Sequence, residues 1–209
     1  MKNYVVTIGR EFACGGREIG KKLSEKMGVP YYDNELILMA AKVNGTNPDA
    51  YQKYDEKAKN IFGGMLTYNL NFASTYGWVI NNYAINDELF LTQSEIIKEV
   101  AAKPCVIIGR CANYILKNRD NIISVFLYAS LEEREKRVKE KYTIEKSDKI
   151  KKTLLKADKQ RASYYETYTG EKWGDPHDYS LAINTTNLTV DQVANIIYAY
   201  MEKLSDTTV

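Results

Sequence analysis

Apolar residues in this chain follow two rhythms. Tyr4-Val5-Val6-Thr7-Ile8 and Cys105-Val106-Ile107-Ile108 are short, nearly unbroken runs, which predict strands covered on both faces. Further strands are predicted just before Asp33, at 121–127 and at 179–183. Between them, apolar positions recur every three or four residues. Ile19, Leu23 and Met27, four apart, predict a helix directly after the first strand. Leu89, Gln93, Ile96, Ile97 and Val100 place another over 88–102, and a short helical stretch ends at Lys117. Charge-rich helices follow at 131–142 and 147–166. Val190, Val193, Ile197, Tyr200, Met201 and Leu204 form the inward face of a last helix over 190–204.

Strand–helix alternation implies an α/β fold, a parallel sheet with helices on both faces. Residues 44–87 break the rhythm. Asn, Tyr, Gly and Thr dominate there, and helical spacing survives only over 48–60. The segment predicts an insertion of one or two helices, bent at Gly63-Gly64 and Gly77, within a single domain spanning 1–209.

Composition narrows the function classes. Charged residues make up 27% of the chain, but the net charge is only +2, so no global field draws it to nucleic acid or a membrane surface. No apolar run approaches the ~18 residues that span a bilayer, and the first residues enter a strand without a leader-like segment. Cys14, Cys105 and Cys111 form neither a metal-ligand pair nor an even set for disulfides. The 17 tyrosines are an unusual load, though tyrosine at helical spacing more often packs with its hydroxyl wet than stacks a nucleobase. The expectation is a cytoplasmic protein acting on small molecules.

The clearest chemistry lies between the first strand and the first helix. Ile8-Gly9-Arg10-Glu11-Phe12-Ala13-Cys14-Gly15-Gly16-Arg17-Glu18 runs from a buried strand through paired glycines into a helix N-terminus. Backbone N–H groups and the helix dipole make such a place a cradle for an anion, and glycine lets the backbone approach it closely. An ordinary strand-to-helix turn would look the same in this stretch alone. The spacing departs from the standard phosphate loop, G-x-x-x-x-G-K-[ST]. With Gly15 at the second glycine, Arg10 stands at the first, Gly16 at the lysine and Arg17 at the hydroxyl residue. Arg10 and Arg17 remain as cations suited to bidentate phosphate binding. Arg17 is the expected replacement for the lysine, since Lys21 and Lys22 lie more than one turn into the helix.

Other charges fall where ligands bind. Asp33 ends the second strand, at the sheet edge used by ligands in α/β proteins, and can also cap a helix beginning near Glu35. Arg110 follows the third strand at the same edge. Arg134 and Arg137 share a helix face, Asp158 and Arg161 repeat that spacing on the next helix, and the polar segment 142–149 between them could hinge. Two cationic faces beside a hinge suit a lid over transferring phosphates. Each charge alone is equally at home on a solvated, salt-bridged surface. His177, the single histidine, belongs to a turn, Trp173-Gly174-Asp175-Pro176-His177-Asp178, and no G-x-S-x-G elbow is present. Cys14 sits among cations near a helix start, surroundings that lower a thiol's pKa and leave a redox role open.

As an ordered set these segments resemble the cytidylate kinase-like branch of the P-loop nucleoside monophosphate kinases. The resemblance rests on residues 8–20, Tyr31-Tyr32-Asp33, 106–114, 125–137, Asp158-Lys159-Gln160-Arg161 and 183–188, and is weakest between 44 and 87. It implies a P-loop kinase-like core, an inserted helical monophosphate-binding lobe near 44–87 and an arginine-bearing lid near 134–166. It also implies phosphoryl transfer from ATP, with magnesium, to a nucleoside monophosphate or related small acceptor. By motif position, Arg10, Gly15, Gly16, Arg17 and Glu18 would hold the donor, and Asp33, Arg110 and Asp158 would serve the acceptor side. Asp158 would also orient Arg161. Arg17, Arg137 and Arg161 would act on the transferred group. Three positions depart from cytidylate kinases: the loop lysine is absent, Asn34-Glu35 replaces a hydroxyl residue and an arginine after Asp33, and Cys111 replaces an aspartate after Gly109-Arg110. The acceptor stays open. So do two rival readings, a nucleotide-binding sensor or scaffold without catalysis and a kinase for a non-nucleotide metabolite.

Overall fold

The unbroken apolar runs become the middle of a parallel sheet, where no face meets water. The computed structural model describes residues 4–33, 83–142 and 147–206. Its strands are β1 (Val5–Arg10), β2 (Tyr31–Tyr32), β3 (Cys105–Ile108), β4 (Ile122–Tyr128) and β5 (Leu181–Asn184). They lie in the order β2-β3-β1-β4-β5, each parallel to its neighbours. Val5 of β1 pairs with Cys105 on one side and Ile122 on the other, which fixes the register of the three central strands.

Alternate residues of β1 feed two cores. Val6 and Ile8 join Ile19 and Leu23 of α1 (Gly16–Met27) and Val193, Ile197 and Met201 of α6 (Val190–Asp206). Val5, with Cys105 and Ile107, packs on Ile96 and Ile97 of α2 (Tyr83–Val100) and on Ala112 of α3 (Ala112–Ile115). Each fully buried large aliphatic contributes about 1.5–3 kcal/mol relative to exposure, so the two cores together lock helices to both faces. A third, smaller cluster joins Phe12 in the loop after β1 to Val138 of α4 (Leu131–Tyr142) and to Ile150, Leu154 and Ala157 of α5 (Ser147–Thr169). The phosphate-loop candidate is thus packed against the helices expected to form a lid.

The expected elements are present with shifted ends. Helix α2 begins at Tyr83 rather than 88, because Asn86-Asp87, which reads as a natural start signal, lies within the helix. It therefore reaches into the last residues of the expected insertion. Strand β5 begins at Leu181 because Pro176–Asp178 forms a 3-10 turn, in which the Asp175 carboxylate accepts from the His177 N–H at 3.0 Å. His177 is 92% exposed and serves that turn. The helix expected over 48–60, the bends at Gly63-Gly64 and Gly77, and a cap near Glu35 lie outside the described residues, as does 143–146 of the proposed hinge. Among the described residues no helix is long and apolar enough to cross a membrane.

Candidate active site

The chain leaves β1 pinned to its neighbour, with the Glu11 N–H donating to the Leu127 carbonyl at 2.9 Å. Left-handed turns at Ala13 (φ 62°) and Gly15 (φ 86°) then deliver it into α1. Gly15 caps that helix with no side chain of its own. The first N–H groups of any helix lack partners within it, and here the loop and first turn line a cavity of about 480 Å³. That volume suits a nucleotide-sized ligand. Arg10, Gly15, Gly16, Arg17 and Glu18 all lie on its wall, with Arg137 and Arg161 opposite and Thr185 beside them.

Behind the loop is a buried ionic clasp. The Asp158 carboxylate accepts from the Phe12 N–H at 2.7 Å and from Arg134 Nη1 at 2.6 Å. Arg134 also donates to the Phe12 carbonyl at 3.3 Å and pairs with Glu11 at 3.3 Å, while Glu11 accepts from the Ala129 N–H at 3.1 Å. Arg134 is only 4% exposed. Asp158, expected to orient Arg161, holds Arg134 and the loop backbone, and its charge also acts on Arg161. Of the arginine pair on α4, Arg134 turns inward to this clasp, and Arg137 turns to the cavity.

Arg137 is anchored by Thr185, which sequence reasoning did not single out. Its Nη1 donates to Thr185 Oγ1 at 3.1 Å, its Nη2 to the Thr185 carbonyl at 2.7 Å, and its Nε to Glu133 at 3.0 Å. Thr185 is fully buried, and its hydroxyl donates in turn to the Cys14 carbonyl at 2.9 Å. One threonine therefore ties the end of β5 to the loop and to an α4 arginine. The available signal was its place just past a strand's carboxyl end.

Cys14 departs from expectation. Its thiol is fully buried and lies 3.2 Å from the Glu11 carbonyl. Burial pushes its pKa up to about 11, and the lowering by Arg161 and Arg10 is the smaller effect. The surroundings that looked activating leave the thiol protonated at neutral pH.

In front of the loop, cations gather. Arg17 Nε donates to Asp33 at 2.5 Å, and Arg10 reaches the other oxygen of the same carboxylate at 3.7 Å. Arg161 Nη1 donates to the Arg10 carbonyl at 2.9 Å. Burial, then the charge of Arg10, pushes the Arg161 guanidinium below its ordinary range. Burial does the same to Arg10, with Asp33 opposing. Arg110, buried in a left-handed turn (φ 61°) after β3, lines a second cavity of about 50 Å³ between that turn and α5. Arg10 and Arg161 stand on the wall of both cavities. Buried cations pressed together in this way favour an anion between them.

A metal is a different matter. Where a standard loop carries its metal-binding hydroxyl this chain has Arg17, engaged with Asp33. Among the described residues no three His, Cys, Asp or Glu side chains gather as a metal site. A magnesium ion carried on nucleotide phosphates keeps several waters and takes only one or two protein ligands, so it needs no such cluster.

Comparison with known proteins identifies relatives of the whole chain. The cytidylate kinase from Fusobacterium nucleatum is 26% identical over 219 aligned residues, covering 98% of this chain and 100% of its own. The cytidylate kinase from Thermococcus kodakarensis is 30% identical over 155 residues, 70% of this chain and 76% of its own. The crystal structure of an uncharacterized protein from Eubacterium ventriosum superposes with a TM-score of 0.68 at 27% identity, covering 95% of this chain and 98% of that one. The model of the cytidylate kinase-like family matches residues 5–187, from the first residue of β1 past Thr185. The match takes in the loop after β1, the clasp behind it and helices α4 and α5, and the chain belongs to the cytidylate kinase-like family.

Proposed function

We propose that the protein transfers a phosphoryl group from ATP to a nucleoside monophosphate or a related small anionic acceptor. The observation that carries this reading is the pair of adjoining cavities that share Arg10 and Arg161 as a common wall. Donor phosphates would sit in the larger cavity, against the loop and the start of α1, with Arg17 and Glu18 in that first turn. The acceptor would enter beside Arg110, near Asp33. The transferred group would then pass between Arg161 and the loop, with Arg137 on the donor side. An acceptor oxygen bonds the γ-phosphorus as the bond to the β,γ-bridging oxygen breaks, and that electron pair leaves on ADP. An acceptor phosphate oxygen has no proton to lose. The protein's part is positioning and charge neutralisation, which is most of what phosphoryl transfer asks of it.

Magnesium, when bound, would arrive on the nucleotide and neutralise its phosphates. A single cytoplasmic domain, an inserted lobe near 44–87 and a lid built from 134–166 belong to the same reading. The experiment is a product assay with ATP and magnesium against nucleoside monophosphates and small metabolites. Acceptor-dependent ADP formation is expected. ATP binding without product from any acceptor would replace the kinase with a nucleotide sensor.

A further inference from the structure

Gly16 occupies the lysine position of a standard phosphate loop, and its neighbour explains why no lysine stands there. A Cβ on Gly16 would lie 2.9 Å from Cγ and 3.0 Å from Cβ of Arg10. Those atoms are the root of the arginine side chain at the end of β1, not its flexible tip, so a side chain at Gly16 is admitted only if one of them shifts. The stem of Arg10 thus fills the volume from which a lysine would start. Its tip continues across the loop to β3. There a Cβ on Gly109, itself left-handed at φ 69°, would overlap Arg10 Nη1. The stem of Arg10 thus borders Gly16, and its mobile tip lies over Gly109, a position whose left-handed backbone favours glycine by itself.

From this contact we infer that Arg10 replaces the missing lysine: the cation that meets the transferred phosphoryl group comes from the last residue of β1, not from the first turn of α1. The inference rests on the phosphotransfer reading above. Arg10 fits the role better than Arg17. Arg17 is held to Asp33 at 2.5 Å and lines the larger of the two cavities, whereas Arg10 stands 3.7 Å from that carboxylate and faces both. Its backbone is fixed by Arg161, the other arginine on the shared wall. As the bond to the β,γ-bridging oxygen breaks, negative charge builds on the departing ADP, and a guanidinium held there stabilises it. Burial lowers the pKa of Arg10 with Asp33 opposing, so a phosphate beside it would further steady its charge.

The test uses Arg10→Met, Arg10→Lys, Gly16→Lys and the double exchange Arg10→Gly with Gly16→Lys in the full-length protein. Calorimetry with the magnesium complexes of ATP and ADP reads the γ-phosphate, and single-turnover transfer reads the chemistry. Arg10→Met should lower ATP affinity relative to ADP and reduce kcat about 100-fold or more, with KM changing less. Arg10→Lys should keep part of both. Gly16→Lys alone should lose as much as Arg10→Met, because the new stem meets Arg10. The double exchange should return transfer to within about 10-fold of wild type, since it moves the cation to the standard position.

An unchanged ATP-to-ADP preference in Arg10→Met would overturn the inference. So would a double exchange no better than Gly16→Lys alone. ADP binding by each variant reports that it is folded. If Arg10→Met does not fold, Arg10→Lys and the double exchange decide by the same readings. A wild-type protein that binds ATP and transfers nothing defeats the phosphotransfer reading instead, and the ATP-to-ADP preference then decides Arg10 by itself.

Discussion

The two sides of the loop are built from the same residue types in opposite proportion. Behind it, Arg134 meets both Asp158 and Glu11, and every short contact runs to a carboxylate or the loop backbone. In front of it, Arg10 and Arg17 share Asp33, while Arg110 presses on Arg10 and Arg10 on Arg161. A buried charge that has its partner is architecture. A buried charge crowded by its own kind is a place for a ligand of opposite sign. The loop lies between a clasp in which one guanidinium serves two carboxylates and a face in which several guanidiniums gather near one carboxylate.

The comparison predicts opposite responses to mutation. Arg161→Leu should have the largest effect on activity, lowering kcat about 1,000-fold, the scale for an arginine on a transferring phosphoryl group. The fold should change little in stability in the absence of ligand, since removing a desolvated charge offsets the lost bond to the Arg10 carbonyl. Kinetics and thermal unfolding on one preparation check both halves. A matching loss of stability would place Arg161 with the clasp. Asp158→Asn should do the reverse, costing about 3–5 kcal/mol in denaturant unfolding because Arg134 is left buried without its closest carboxylate. Replacing Arg134 by Met in the same chain should recover much of that loss. Non-recovery would mean that Asp158 acts through the Phe12 N–H rather than through the ion pair. Thr185→Val comes next, at about 1–3 kcal/mol, for it loses the bond to the Cys14 carbonyl and one anchor of Arg137 together.

How far these features were legible in the sequence depended on distance along the chain. The β1 and β3 strands and the α4 helix, at 131–142 as expected, follow from local patterns that tertiary contacts reinforce. That Asp158 would orient Arg161 was implied by the family resemblance, and helix spacing alone offered only a surface ion pair between them. The cation that Asp158 holds, Arg134, lies on another helix, and no spacing rule reaches there. For the same reason periodicity could not say which of Arg134 and Arg137 would turn behind the loop. The lysine's absence was plain from the motif, but the collision between Arg10 and Gly16 depends on the loop's path through space. The glycine pattern carries the expectation of an anion site; which side chain borders Gly16 depends on coordinates.

Cys14 makes the smallest prediction and sharpens the boundary between the two sides. It sits where they meet, its carbonyl tied to Thr185 and its thiol turned toward the backbone of Glu11 and Leu127. Arg161 and Arg10 are near enough to draw its pKa down, yet burial outweighs both and carries it to about 11. A thiolate would need the same positive field that a phosphate uses, but Cys14 is sealed from it. At pH 8 the thiolate fraction would be about one part in a thousand, so alkylation by iodoacetamide should be slow in the folded protein and become fast on unfolding. Cys105 and Cys111, likewise buried, with pKa values raised to about 11 and about 12, should behave alike. Cys14→Ala should leave kcat within about threefold of wild type and cost about 1 kcal/mol, the scale of a small buried side chain with one weak hydrogen bond. Rapid labelling of Cys14 in the folded protein, mapped by mass spectrometry and suppressed by ATP, would mean that the cationic face extends through the loop to the thiol.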